Sequence, residues 1–192
     1  YSENINVESQ SLLRFSEYCL KETSIFLGNE NESIIINCDL NKPLNKKFHF
    51  NWKKIISIGK ASEGLKGDIQ YQLKEIKRDI NPKYVRFTGI FNDEMNVYNE
   101  DKEGNSYYNF AYVDKLIDFL FHEGLKPYIN LGFMPKKLSQ KEEYVFNSNT
   151  NVSYPKSIKK WKDLVKNLVV HLIDKYGVEE VSTWYFEIWN NP

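Results

Sequence analysis

The sequence predicts an α/β fold built on a parallel sheet, and three observations carry that expectation. Short apolar, β-branched and aromatic runs near residues 55, 84, 127 and 183 alternate with longer stretches of helical periodicity. Strands separated by helices imply parallel, right-handed crossovers and a sheet covered on its outer face. The final run, Trp184-Tyr-Phe-Glu-Ile-Trp189, passes directly into a polar Asn190-Asn191-Pro192 stop, so a buried strand delivers polar groups beside two tryptophans at its C-terminal end. Four such βα steps fit either a doubly wound sheet or the first half of an eight-stranded β/α barrel, whose functional groups gather at strand C-terminal ends. No glycine-rich phosphate loop follows the first strand, which counts against a nucleotide-binding sheet.

Taken in order, residues 9–22 place Leu12, Leu13, Phe15, Tyr18, Cys19 and Leu20 at the spacing of a short amphipathic helix. We expect residues 1–33 to form this helix and a linker, ahead of a second region over 34–192. A polar break at 28–33 precedes an accessory strand over 34–40, and the Asn41-Lys-Pro-Leu-Asn45 turn follows it. Residues 55–59 form the next strand. Residues 68–78 then carry Ile69, Leu73 and Ile76 on one helical face, with Asp68 placed to cap it. A strand at 84–88 opens into a long polar loop to 107. A helix over 110–122 presents Val113, Leu116, Ile117 and Leu120, and a strand at 127–132 follows. Beyond the loop 133–155, the series Ile158, Trp161, Leu164, Val165, Leu168, Val169, Leu172 and Ile173 predicts a long helix stopped by Gly177. The last strand is expected over 181–189.

Composition narrows the function classes. The 192 residues carry 26 basic and 26 acidic side chains, so no net field draws this segment toward nucleic acid or an anionic membrane. No apolar run reaches the length of a membrane span. The sequence opens on Tyr1 without a secretory leader or initiator methionine, which predicts a cytoplasmic protein and a chain excised from a longer one. Cys19 and Cys38 lack metal-ligand spacing and read as two thiols in a reducing compartment. No cofactor and no metal site is expected.

Four blocks carry a family resemblance: Tyr84-Val-Arg-Phe-Thr-Gly-Ile-Phe-Asn-Asp-Glu-Met-Asn-Val-Tyr98, Tyr108-Asn-Phe-Ala-Tyr-Val-Asp114, Lys126-Pro-Tyr-Ile-Asn-Leu-Gly-Phe-Met-Pro135 and Trp184-Tyr-Phe-Glu-Ile-Trp-Asn-Asn-Pro192. In this order they resemble glycoside hydrolase family 39, the β-xylosidase and iduronidase family. The resemblance runs from about Ile34 to the end, and it implies the first four βα units of a TIM-type barrel.

It also implies a site, and a departure from that site. Retaining glycosidases of this kind use two carboxyl groups roughly 5 to 5.5 Å apart, one as acid/base and one as nucleophile. In the family the acid/base Glu stands between an Asn and a Pro at the end of the fourth strand, and this chain has Asn191 there. An amide neither protonates a leaving oxygen nor activates water. The family nucleophile lies on a later strand, beyond residue 192. Where the family has an Arg-Phe-His-Gly run, this chain has Arg86-Phe87-Thr88-Gly89, so a histidine lining the sugar subsite has become Thr88. Asn190, whose family counterpart contacts the sugar 2-hydroxyl, is kept. Phe133, Trp184 and Trp189 offer stacking surfaces. The expected ligand-binding set is therefore Asn190, Asn191, Trp189, Thr88 and Phe133, with no catalytic residue and a xylose-like sugar as ligand.

Other polar residues have plainer readings. Glu187 lies in the last strand on the side of Trp189 and opposite Asn190, and is expected to form a salt bridge with Arg86 or a lysine. Asp93 and Glu94 read as a solvated pair in the loop after the second strand. Trp161 belongs to a core stripe, and His49, His122 and His171 are expected as surface or packing residues.

Three functions follow. The degenerate site resembles the barrels of AraC-type transcriptional regulators, which implies a catalytically inactive, sugar-sensing segment whose parent binds DNA while this part does not. The alternatives are a fragment of a cytoplasmic β-xylosidase-like hydrolase, and an interaction or dimerisation module whose open sheet edges favour self-association.

Overall fold

A computed structural model describes residues 5–6, 22–26, 33–37, 51–145 and 150–189. The chain divides into two units, Tyr1–His49 and Phe50–Pro192. In the first, β1 (Ile5–Asn6) pairs in parallel with β2 (Glu22–Phe26), and β2 pairs antiparallel with β3 (Ser33–Asn37). β3 is the strand expected near 34–40. The N-terminal helix expected over 9–22, both cysteines and His49 fall outside the described residues, apart from Glu22, which opens β2.

The second unit runs β4 (Ile55–Lys60), α1 (Gly67–Ile80), β5 (Tyr84–Thr88), β6 (Tyr98–Glu100), β7 (Ser106–Tyr108), α2 (Ala111–His122), β8 (Lys126–Asn130), β9 (Tyr144–Val145), β10 (Thr150–Asn151), α3 (Ile158–Tyr176), the single turn α4 (Val178–Val181) and β11 (Tyr185–Glu187). Its main sheet has the order β4-β5-β8-β11, and every pair is parallel. Each strand lies beside the next strand of the βα series. A doubly wound sheet reverses its strand order at a switch point, and this sheet does not. The short pairs β6-β7 and β9-β10 are antiparallel hairpins within the long polar loops.

Alternation assigns the two faces. Val85 and Phe87 of β5 and Ile129 of β8 are fully buried, and they share a core with Leu73 of α1, with Val113, Leu116, Ile117 and Leu120 of α2, and with Leu164, Leu168 and Leu172 of α3. The helices therefore cover one face through residues three or four apart, and each buried leucine contributes about 1.5–3 kcal/mol. Gly64, in the turn after β4, lets α2 approach closely. A Cβ there would stand 2.5 Å from Leu116 Cδ1 and 2.9 Å from Ile58 Cδ1. Tyr84, Arg86, Tyr128, Tyr185 and Glu187 occupy the opposite face.

Of the two helix ends that the sequence assigns, Gly177 holds and Asp68 does not. Ser157 caps α3 by accepting from the Lys160 amide, and Gly177 ends the helix with its N–H on the Ile173 carbonyl. Asp68 does not cap α1. Lys66 holds the cap position, and Asp68 sits inside the first turn, accepting from the Ile69 amide at 2.9 Å. The last strand is also shorter than expected. Residues 178–181 form a helical turn, with Glu179 and Glu180 in its first turn and Val181 buried, so the chain enters the sheet only at Tyr185.

The β6-β7 hairpin is tied to the start of α3 through Glu100, which accepts from Tyr98 (2.6 Å), Lys160 (2.7 Å) and Lys156 (3.1 Å). Burial pushes Glu100 up, but the hydrogen bonds from Lys160, Tyr98 and Lys156 more than offset it and bring its pKa down to about 2.

Candidate functional site

The C-terminal ends of β5, β8 and β11 are laced together by backbone. The Gly89 N–H donates to the Gly132 carbonyl at 2.8 Å, and the Leu131 N–H to the Glu187 carbonyl at 2.8 Å. On this edge Trp189 and Phe133 meet edge to face, with ring centroids 6.0 Å apart at 76°. The Trp189 ring lies over Gly132, where a Cβ would stand in ordinary contact with it, 3.5 Å from Cε3, and tightly against Asn130 Oδ1 at 3.0 Å. Both rings are half-buried and present apolar surface beside polar strand ends. Thr88 closes β5 with its hydroxyl donating to the Gly59 carbonyl at 3.2 Å. That bond leaves the oxygen able to accept.

Asn130 is a site residue that sequence reasoning missed. It ends β8 fully buried, its Oδ1 accepts the Gly132 N–H at 3.0 Å, and its Nδ2 has no partner. It thereby shapes the bend that carries Phe133. The signal available was an amide closing an apolar strand just before Leu-Gly.

The acidic groups nearby are engaged. Glu187 receives two hydrogen bonds from Arg86, as expected, from Nε at 2.9 Å and Nη2 at 3.0 Å. Asp93 and Glu94 are exposed, as read from the sequence, yet they fasten loops: Asp93 accepts from the Lys136 amide at 3.1 Å, and Glu94 accepts from Ser62 at 2.7 Å and faces Lys60 at 3.8 Å. Among the described residues, no group of three or more His, Cys, Asp or Glu side chains gathers to hold a metal ion.

Thr88, Phe133 and Trp189 thus come to the strand-end edge, while Asn190 and Asn191 lie outside the described residues. Trp184 does not join them. It precedes β11 at the opposite end of the strand, 5% exposed, with Nε1 donating to Glu180 at 2.8 Å and its ring packed on Tyr176. A tryptophan so enclosed has no face left for a sugar. His122 and His171 also lie on helices, His122 against the Asp118 carbonyl and His171 between Asp114 (2.6 Å) and the ring of Phe110.

Comparison with known proteins places this geometry in a family. The sequence profile of glycosyl hydrolases family 39 matches residues 34–192. The chain belongs to that family. Among family 39 relatives, the β-xylosidase of Geobacillus stearothermophilus is 38% identical over 158 residues, which is 80% of this chain and 31% of the relative. The crystal structure of a monomeric β-xylosidase from Caulobacter crescentus CB15 superposes with a TM-score of 0.70 at 36% identity, covering 73% of this chain and 28% of that one. A family 39 enzyme from Xanthomonas axonopodis pv. citri gives a TM-score of 0.70 at 30% identity, covering 73% and 27%. The chain spans about a third of the length of the curated β-xylosidases that it matches.

Proposed function

We propose that this chain is the first half of a family 39 β/α barrel that binds a xylose-like sugar at its strand ends without hydrolysing it. One observation carries the reading: the residue between Asn190 and Pro192, where the family resemblance expects the acid/base glutamate, is Asn191. General acid/base help is worth roughly 10²- to 10⁴-fold. Its loss removes turnover on unactivated sugars while leaving an aromatic corner, Phe133 against Trp189, that suits a pyranose ring. The regulator resemblance gives such a site a use, with an intracellular sugar sensed by a protein whose DNA-binding part lies elsewhere in the parent.

A second reading is favoured by the 38% identity to a β-xylosidase. In it the parent is a hydrolase that replaces the missing acid with another group or acts on activated substrates. The natural full-length protein separates the two. Sensing predicts saturable thermal stabilisation by xylose, lost in Trp189→Ala, with no release of nitrophenol from an aryl β-xyloside. Release that stops when the carboxylate nucleophile of the later strand is changed to an amide overturns it in favour of the hydrolase. No response to any sugar leaves the interaction module.

A further inference from the structure

The segment 131–134 carries the aromatic corner, and backbone bonds tie it to three neighbouring strands or strand ends. The Leu131 N–H reaches the Glu187 carbonyl of β11, the Met134 N–H reaches the Asn151 carbonyl of β10 at 2.9 Å, and the Gly132 carbonyl takes the Gly89 N–H beyond β5. The chain can make these bonds whatever its side chains. The Gly132 N–H is held differently, by Oδ1 of Asn130 at 3.0 Å. At this joint the identity of a side chain decides the path of the backbone.

The burial of Asn130 shows which of its atoms matters. The residue is 0% exposed, and its Nδ2 has no partner. A buried donor without an acceptor is unfavourable, and an apolar side chain of similar shape would avoid it. What such a side chain could not supply is the acceptor. Gly132 is itself buried, so its N–H requires a partner within the protein, and an Asn two residues earlier provides one by closing a turn with its own side chain. The fit leaves little slack. A Cβ on Gly132 would stand 3.0 Å from Asn130 Oδ1 on one side and 3.5 and 3.7 Å from two atoms of the Trp189 ring on the other.

Both rings of the corner depend on that glycine. Trp189 lies over it, and Phe133 follows it in the chain and meets Trp189 edge to face. We propose that Asn130 is the positioning residue of the strand-end corner: its bond to the Gly132 N–H sets the seat of Trp189 and the direction in which Phe133 leaves β8, so that both rings stand ready for a sugar ring. Asn130 itself touches no ligand. Its contribution is preorganisation, which strengthens binding by reducing what must be ordered when the ligand arrives. The inference rests on the sugar-binding function proposed above, while the seat itself is measured separately from binding.

The full-length protein labelled with ¹³C-glycine supplies that measurement. An indole face over Gly132 moves an α-proton of this residue upfield by ring current, and Gly132→Ala assigns the resonance. The upfield shift is expected in the wild type and in Asn130→Asp, which offers an acceptor of the same reach in either protonation state. It is expected to vanish in Asn130→Leu, which matches the size and has no acceptor. Asn130→Ser, with a shorter hydroxyl that makes the same turn more weakly, falls between them and carries the test if the leucine variant does not fold. Affinity for xylose follows the same order, about tenfold weaker in the leucine variant and recovered in the aspartate variant. A Gly132 shift unchanged in the leucine and serine variants overturns the inference. So does its loss in the aspartate variant, which would assign the role to the shape of the amide and not to its acceptor. If no variant and no wild type binds xylose while the Gly132 shift still follows the acceptor, the proposed function fails and the positioning role stands.

Discussion

Arg86 on β5 and Glu187 on β11 form a two-bonded ion pair that reaches across β8, with the guanidinium 5.8 Å from the ring of Tyr128 between them. Both side chains keep 24% of their surface exposed, so the pair is partly desolvated. Breaking it strands one charge on the sheet. Glu187→Gln or Arg86→Met is expected to cost about 2 kcal/mol, below the 3–5 of a fully buried pair. The double variant Arg86→Met with Glu187→Gln should cost less than the two single changes together. Urea unfolding of the four proteins measures the coupling, and strict additivity would show that the pair contributes nothing of its own.

Glu100 makes stability depend on acid. Its folded pKa, about 2, lies below the ordinary glutamate value near 4.3, so the folded state favours its charged form. The contribution is complete above the unfolded value and is lost as pH falls from about 4.3 toward 2. Glu100→Gln should therefore be less stable than wild type by about 2 kcal/mol at pH 6, allowing for screening of a partly exposed cluster, with the gap closing near pH 2. Thermal melts of both proteins at pH 6, 4 and 2.5 check this. A gap that stays constant with pH would assign the cost to shape and not to charge.

Restoring the acid tests the missing step. In the natural full-length protein, Asn191→Glu is expected to raise hydrolysis of an unactivated β-xyloside by about 10²-fold or more over wild type. A variant that folds as wild type, binds xylose and stays inert would mean that the rest of the catalytic arrangement has also been lost.

Gly64→Ala should destabilise by about 1 kcal/mol, because the new methyl must push aside Leu116, which is fully buried. Gly67→Ala is the control, since a Cβ there meets nothing within 4 Å. Equal melting temperatures for the two variants would sink the packing argument.

The sequence makes some of this legible for plain reasons. Leu164, Leu168 and Leu172 repeat at the helical period, and residues 84–88 alternate buried and half-buried side chains from Val85 to Thr88, so α3 and β5 stand where their patterns put them. The β6-β7 and β9-β10 hairpins have strands of two or three residues, too short for any period to register. Trp184 misled for another reason. An aromatic next to a strand reads the same at either end, and only its hydrogen bond to Glu180 shows which end it guards. Asn130 escaped notice because an unpartnered amide is visible only once its neighbours are in place.

The sequential order of β4, β5, β8 and β11 has a consequence for synthesis. Each strand lies beside the main-sheet strand that precedes it in the chain, so it can dock there as it emerges from the ribosome, with a helix between them to cover the join. Loop closure is then confined to a single βα step at a time, and no strand waits for a distant partner. The sheet can grow by accretion, one unit after another, with its newest edge always the one facing the chain still to come.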